Sequence, residues 1–291
     1  MPVHRYKYFT PSDAARVGRL QFMAKQVVEG IITGLHKSPH QGFSVEFSEH
    51  RKYVPGDELR HLDWKVFARS DRHYIKLYEQ ETNLRATIVL DNSASMIFAG
   101  KIEYARHLAA CLAYLLATQQ DLAGLAAIDD SIRVEISAGS TPAHLDRLFT
   151  ELEKLQPGKG TDLASQLHGL AERLPRRSLL FLITDLWIDP RHFARALQHL
   201  RHRQHQAIVL HLLDKQETEF PFDRRVTFQD LETDEKIQID PADLRQEYLT
   251  QVKNYLTEVR RACSDSEVEY EPLFVDQPYD AALVRWLNAR K

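Results

Sequence analysis

Ile88-Val89-Leu90-Asp91-Asn92-Ser93-Ala94-Ser95-Met96 is the stretch whose reading decides the fold. Its apolar run has the length of a buried strand, stops at a carboxylate, and is followed by two hydroxyls at alternate positions before a helical pattern begins. In an open α/β sheet, ligands bind beyond the carboxyl ends of the strands, so an Asp-x-Ser-x-Ser loop stands where chemistry is usually placed. Its side-chain oxygens suit a hard cation. Mg²⁺ prefers octahedral oxygen coordination at about 2.0–2.1 Å and keeps several waters, so one or two carboxylates plus hydroxyls leave a position for an outside ligand.

Two later segments supply what such a loop lacks. Leu179-Leu180-Phe181-Leu182-Ile183-Thr184-Asp185 is a second apolar run ending in Asp, and Gly158-Lys159-Gly160-Thr161-Asp162-Leu163 puts Thr161 just before a helix. Taken singly, each oxygen has an ordinary use. Asp91 and Asp185 serve as strand-end turn residues, Ser93 and Ser95 as local caps, and Thr161 as a helix N-cap. As an ordered set, Asp91, Ser93, Ser95, Thr161 and Asp185 resemble the metal-ion-dependent adhesion site of von Willebrand factor A domains. That resemblance implies a bound Mg²⁺, with Mn²⁺ or Ca²⁺ as alternatives. In that site Ser93, Ser95 and, in some conformations, Thr161 bind directly, and Asp91 and Asp185 act largely through water. Few direct carboxylates leave the ion electrophilic, so it accepts a Glu or Asp from a partner protein.

The upstream residues extend the likeness. Gly42-Phe43-Ser44-Val45-Glu46-Phe47, Arg51-Lys52-Tyr53-Val54-Pro55-Gly56-Asp57-Glu58 and Leu62-Asp63-Trp64-Lys65-Val66-Phe67-Ala68-Arg69 occur in this order before the metal motif. Together they resemble the signature of the bacterial domain-of-unknown-function family 58. The resemblance implies a partner, a MoxR-type AAA+ ATPase, for which the von Willebrand domain acts as adaptor to a client protein. Arg51, Arg60, Asp63, Trp64 and Arg69 belong to a dense mixed-charge segment around a tryptophan. The plain reading is a solvated face; the sharper one is a charged platform beside the metal loop that selects the partner by complementarity.

Composition narrows the function classes. The chain has 291 residues, 43% hydrophobic and 27% charged, which suits a globular protein with a sizeable core. A formal net charge of -3 argues against a dedicated nucleic-acid binder, which draws most of its affinity from a strongly basic surface. Cys111 and Cys263 both sit in helical patterns and supply neither a disulfide framework nor a thiolate zinc site. The start, Met1-Pro2-Val3-His4-Arg5-Tyr6-Lys7, leads into no signal-type apolar core, and no run approaches the roughly 18 apolar residues of a membrane span. A cytoplasmic location is the expectation.

The remaining periodicity sets the architecture. Leu20, Met23, Ala24, Val27, Val28, Ile31, Ile32 and Leu35 trace an amphipathic helix capped at Ser12, which is expected to strap the sheet domain. Phe43 to Phe47 and Tyr74 to Tyr78 read as short strands. After the metal loop come a helix over Ile102 to Leu116, two strands around Asp129-Asp130-Ser131, and a helix opened by Thr141-Pro142. Then follow the Thr161 loop and its helix, the Asp185 strand, a helix from Pro190 and a strand over Ala207 to Leu213 that ends in Asp214. A hairpin around Thr233-Asp234-Glu235, a long helix from Asp240-Pro241, a strand over Val268 to Phe274 and a terminal helix around Leu283 to Leu287 complete the chain. Residues 1–82 are expected to form the helix and charged β-rich segment, and 83–291 the main domain. The fold expected is α/β, von Willebrand factor A-like: a doubly wound, mostly parallel sheet with an antiparallel edge strand, plus the amino-terminal helix and small β segment.

Three tempting readings are set aside. Asp129-Asp130 fits a turn better than a metal pair. His199, His202 and His205 step by three among Arg201 and Arg203, which fits a surface helix rather than a zinc site. A metal-dependent phosphoesterase using Asp91 is the enzymatic alternative, but no Asp-x-Asp pair follows the first strand, Ser93 has no G-x-S-x-G elbow, and no P-loop is present. The reading preferred is therefore a non-enzymatic, metal-dependent interaction module.

Overall fold

The computed structural model describes residues 24–25, 28, 49–52, 66–67, 74–77, 84–158, 160, 162–229, 236–279 and 283. Contacts divide the chain into two compact units, one of residues 1–31 with 84–291 and one of residues 32–83. The sequence expectation placed one boundary, between residues 82 and 83; the contact division falls between Ile31 and Ile32 and between Asn83 and Leu84, which groups residues 1–31 with the larger unit. In the smaller unit β1 (Glu49–Lys52) pairs antiparallel with β2 (Tyr74–Leu77), in register from Glu49 opposite Leu77 to Lys52 opposite Tyr74. The strand expected over Phe43 to Phe47 lies outside the described residues.

The larger unit is built on six strands: β3 (Arg85–Asp91), β4 (Leu122–Ile128), β5 (Ile132–Gly139), β6 (Leu179–Thr184), β7 (Gln206–Leu213) and, after a separate hairpin of β8 (Val226–Gln229) and β9 (Lys236–Ile239), β10 (Glu269–Phe274). Their spatial order is β10-β7-β6-β3-β4-β5. All neighbours are parallel except β4 and β5. Strands covered by helices on both faces read as unbroken apolar runs, and every residue of β6 and all but Arg85 of β3 are buried. The edge strand β5 instead alternates, with Arg133 and Glu135 exposed. Gly124 allows its close approach, since a Cβ there would lie 2.8 Å from the Ile136 carbonyl oxygen.

Helices α1 (Lys101–Thr118), α2 (Pro142–Lys154), α3 (Leu163–Arg173), α4 (Pro190–His202), α5 (Lys215–Glu219) and α6 (Pro241–Asp265) connect or cover the strands. Val89, Leu180, Leu182 and Val209 pack with Leu167, Phe193, Leu197, Val259 and Cys263, so α3, α4 and α6 close one sheet face. Alternate residues such as Ile88, Leu90, Phe181 and Ile183 are equally buried, and α1 contacts β3, β4, β6 and β7. Burial of each such side chain stabilises by about 1.5–3 kcal/mol, which makes β6 and β7, rich in buried Leu, Ile, Val and Phe, the most heavily anchored strands. Neither cysteine is in a disulfide, and both are buried in helices.

The amino-terminal helix pattern is met at Ala24, Lys25 and Val28, all helical, with Ala24 and Val28 buried and Lys25 exposed. Leu283 is helical and buried, and the rest of the expected terminal helix lies outside the described residues. Among the described residues, no helix is long and apolar enough to cross a membrane.

Candidate functional site

Strand order reverses between β3 and β6, and there the chain leaves the sheet in opposite directions, opening a crevice at the carboxyl ends. Asp91 ends β3 and Asp185 follows β6, so both carboxylates flank that crevice. The Ser93 N–H donates to Asp91 Oδ1 at 3.0 Å, an Asx turn that lifts the hydroxyl loop off the strand end. Ser93 Oγ and Ser95 Oγ lie 3.0 Å apart, and Ser95 Oγ donates to Asp185 Oδ1 at 3.1 Å. Thr184 Oγ1 donates to Asp91 Oδ2 at 2.6 Å and accepts from the Leu186 N–H at 2.9 Å, tying the two loops together. Asp91, Ser93, Ser95 and Asp185 thus converge from loops more than 80 residues apart in sequence.

Thr161 lies outside the described residues. Its loop is nonetheless attached on both sides: Gly158 N–H donates to the Asn92 carbonyl at 2.7 Å, Asn92 Nδ2 donates to the Gln156 carbonyl at 2.7 Å, and Asp162 N–H donates to the Asp129 carbonyl at 3.0 Å. The cap of α3 is Asp162, whose side chain accepts from Ser165 N–H. The N-cap role weighed for Thr161 therefore belongs to its neighbour. Of the charged platform, Arg51 lies in β1 opposite Ile75, while Arg60, Asp63, Trp64 and Arg69 lie outside the described residues.

Electrostatics single the site out. Burial, reinforced by the Asp185 charge, raises the pKa of Asp91 to about 6, against hydrogen bonds from Ser93 and Thr184 that oppose the rise. Lys101, the first residue of α1, is 1% exposed and sends Nζ to Asp185 Oδ2 at 3.2 Å and to Glu217 Oε1 at 2.6 Å. Two carboxylates thus share a single buried ammonium, and the Asp185 charge also bears on Asp91. Among the described residues no group of three or more His, Cys, Asp or Glu is arranged to hold an ion, so a cation here draws on hydroxyls as well. Buried hydroxyl and carboxylate oxygens with an excess of negative charge fit a hard divalent ion.

The loop after Asp185 is tightly held. Leu186 is buried yet adopts φ 55°, a left-handed conformation costly for a bulky residue. Ile188 N–H donates to the Leu186 carbonyl at 2.6 Å, and Tyr255 Oη donates to the Leu186 carbonyl and to that of Ile188 at 3.2 Å. Trp187 sits at the tip of this turn, 63% exposed, and Ile97 beyond Ser95 is 51% exposed. His211 Nε2 donates to the Asp185 carbonyl at 3.0 Å, leaving the carboxylate to the crevice.

Sequence reasoning missed Lys101, Thr184, Glu217, His211 and Tyr255. Glu217 had a local signal, the Asp214-x-x-Glu217 spacing: Asp214 caps α5 and Glu217 Oε2 accepts from the Asp214 N–H at 2.9 Å. Lys101 had a weaker one, a cation at the positive end of a helix. Asp129 and Asp130 form the expected turn, with both carboxylates engaged by Arg133. His199 pairs with His168 and with Glu172, whereas His205 is buried rather than on a surface helix and contacts the Ala171 carbonyl at 3.1 Å.

The strand order, the antiparallel edge and the hydroxyl loop at the reversal point define a von Willebrand factor A-like domain. The chain belongs to the family described as Protein of unknown function DUF58, whose model matches residues 49–258. Uncharacterized proteins of Mycobacterium tuberculosis (Rv1480) and Mycobacterium bovis (Mb1516) are each 26% identical over 290 residues, covering 97% of this chain and 90% of theirs. Among solved structures, an aerotolerance-related membrane protein from Bacteroides fragilis superposes with TM-score 0.50 at 15% identity, over 71% of this chain and 98% of that one. The SpRpn10 VWA domain gives TM-score 0.39 at 14% identity, over 70% of this chain and 95% of its own.

Proposed function

We propose that this chain is a non-enzymatic protein-interaction module that binds a partner's carboxylate through Mg²⁺ at Asp91, Ser93, Ser95, Thr161 and Asp185. In the same reading it is the adaptor for a MoxR-type AAA+ ATPase acting on a client complex. The observation that carries the metal site is the contact chain Ser93 to Ser95 to Asp185, closed to Asp91 through Thr184. When bound, Mg²⁺ supplies an electrophilic coordination position. Both Asp91 oxygens already accept hydrogen bonds, which favours the water-mediated role over direct ligation. Exposed Ile97 and Trp187, each two residues beyond a candidate ligand, provide apolar surface of the kind enriched at interface hot spots. The ATPase partner is carried by family resemblance alone.

The test is binding of a purified MoxR-type ATPase to wild-type protein and Asp91→Ala, in Mg²⁺ and in chelator. Binding should depend on Mg²⁺ and be lost in the variant, whose circular dichroism stays that of the wild type. Equal binding in chelator overturns the metal-bridged reading. Mg²⁺-dependent hydrolysis of p-nitrophenyl phosphate that disappears in Asp91→Asn would establish the phosphoesterase instead.

A further inference from the structure

Lys101 is out of place by every local rule. It opens an 18-residue helix, where the unsatisfied N–H groups already create positive potential and an acidic residue is favoured. The acidic residue of that first turn, Glu103, is paired with Arg106. A buried ammonium also carries a large desolvation cost unless it is paired and hydrogen-bonded. Both of its carboxylate partners come from elsewhere in the chain, Asp185 and Glu217, 84 and 116 residues away. The Phe98 ring, 5.7 Å from Nζ, covers it further. A residue that breaks local preference inside a candidate site points to function.

The division of oxygens is specific. Asp185 Oδ1 faces Ser95, on the side of the hydroxyl loop, while Asp185 Oδ2 is taken by Lys101. We propose that Lys101 is a resident counter-cation of the candidate metal site, which shares Asp185 with the divalent ion and thereby limits how tightly that ion is held. The inference rests on the metal-site reading above. Before the ion arrives, Lys101 keeps Asp185 oriented and offsets part of the charge of the buried carboxylates. Once the ion is bound, ammonium and ion draw on the same carboxylate and repel each other. Glu217 moderates the competition by drawing Nζ toward itself; it is also the one partner with appreciable exposure, at 18%. The site would then hold its ion weakly enough for a partner's carboxylate to matter to occupancy.

Titration with Mn²⁺, read by calorimetry and by the electron paramagnetic resonance of free ion, tests this on the full chain. Lys101→Met should bind Mn²⁺ at least tenfold more tightly than wild type. Glu217→Gln keeps the capping geometry, since Gln serves in a capping box as Glu does, but leaves Nζ to Asp185 alone, so its Mn²⁺ affinity should fall severalfold. In the double variant the Glu217→Gln effect should shrink, because the ammonium that relays it is gone. Unchanged or weaker binding in Lys101→Met overturns the inference. Should that variant fail to fold, unchanged or tighter binding by Glu217→Gln overturns it equally. A wild-type protein that binds no Mn²⁺ overturns the metal site and this inference together, whereas wild-type binding lost in Asp91→Ala with Kd unmoved in Lys101→Met removes this inference alone.

Discussion

His211 shows how a single side chain can hold the backbone of a site without occupying it. Its Nε2 donates to the Asp185 carbonyl and its Nδ1 lies 2.8 Å from Tyr270 Oη, so the neutral ring fills both hydrogen-bonding places. Burial pushes its pKa down to about 3. A depressed histidine contributes stability above the unfolded value of about 6.5 and loses it as pH falls toward the folded value, at about 1.4 kcal/mol per pH unit. Denaturant midpoints at pH 7.5 and pH 5.5 should therefore fall more in wild type than in His211→Gln; equal losses would show that other groups govern the acid limb. Asp91, Ser93, Ser95 and Asp185 were legible in the sequence because each follows directly from a strand end. Lys101 and His211 act through partners 84, 26 and 59 residues away, and separations of that size leave no local trace.

Among the described residues, elements with a strong period were read correctly because one face or both faces of each meet the core. The strands β3, β6 and β7 stand out as apolar runs, and β5 as an alternating edge. The 3₁₀ segment Ala94–Gly100 was not read as an element of its own, since its kink lies in backbone angles at Phe98 and Ala99 that composition does not encode. The turn between β6 and α4 was equally hidden, because its anchor, Tyr255, comes from α6. That anchor makes a prediction for the element: Tyr255→Phe keeps the ring and removes the hydroxyl shared by the Leu186 and Ile188 carbonyls. Loss of these bonds should cost about 1–3 kcal/mol in urea unfolding. It should also raise hydrogen exchange at Leu186 to Ile188 while α3 stays protected. A loss confined to global stability, with exchange of the turn unaltered, would mean that the strained Leu186 is held by its buried side chain instead.

For the whole molecule, the candidate site ties together chain segments that otherwise share only the sheet. The crevice draws on the loop after β3, the loop after β6 and, through Lys101 and Glu217, on α1 and α5. An ion held there stabilises the native state alone, because the unfolded chain has no convergent oxygens. At 100 times its dissociation constant such an ion adds about 2.7 kcal/mol to folding. At about 2–4 °C per kcal/mol for a large domain, Mg²⁺ should raise Tm by about 5–10 °C in calorimetry. The same excess of Mg²⁺ should leave the Tm of Asp91→Ala unmoved. A rise of equal size in both proteins would place the ion somewhere other than the reversal point of the sheet, and a rise in neither would leave Lys101, Asp185 and Glu217 as a purely structural cluster.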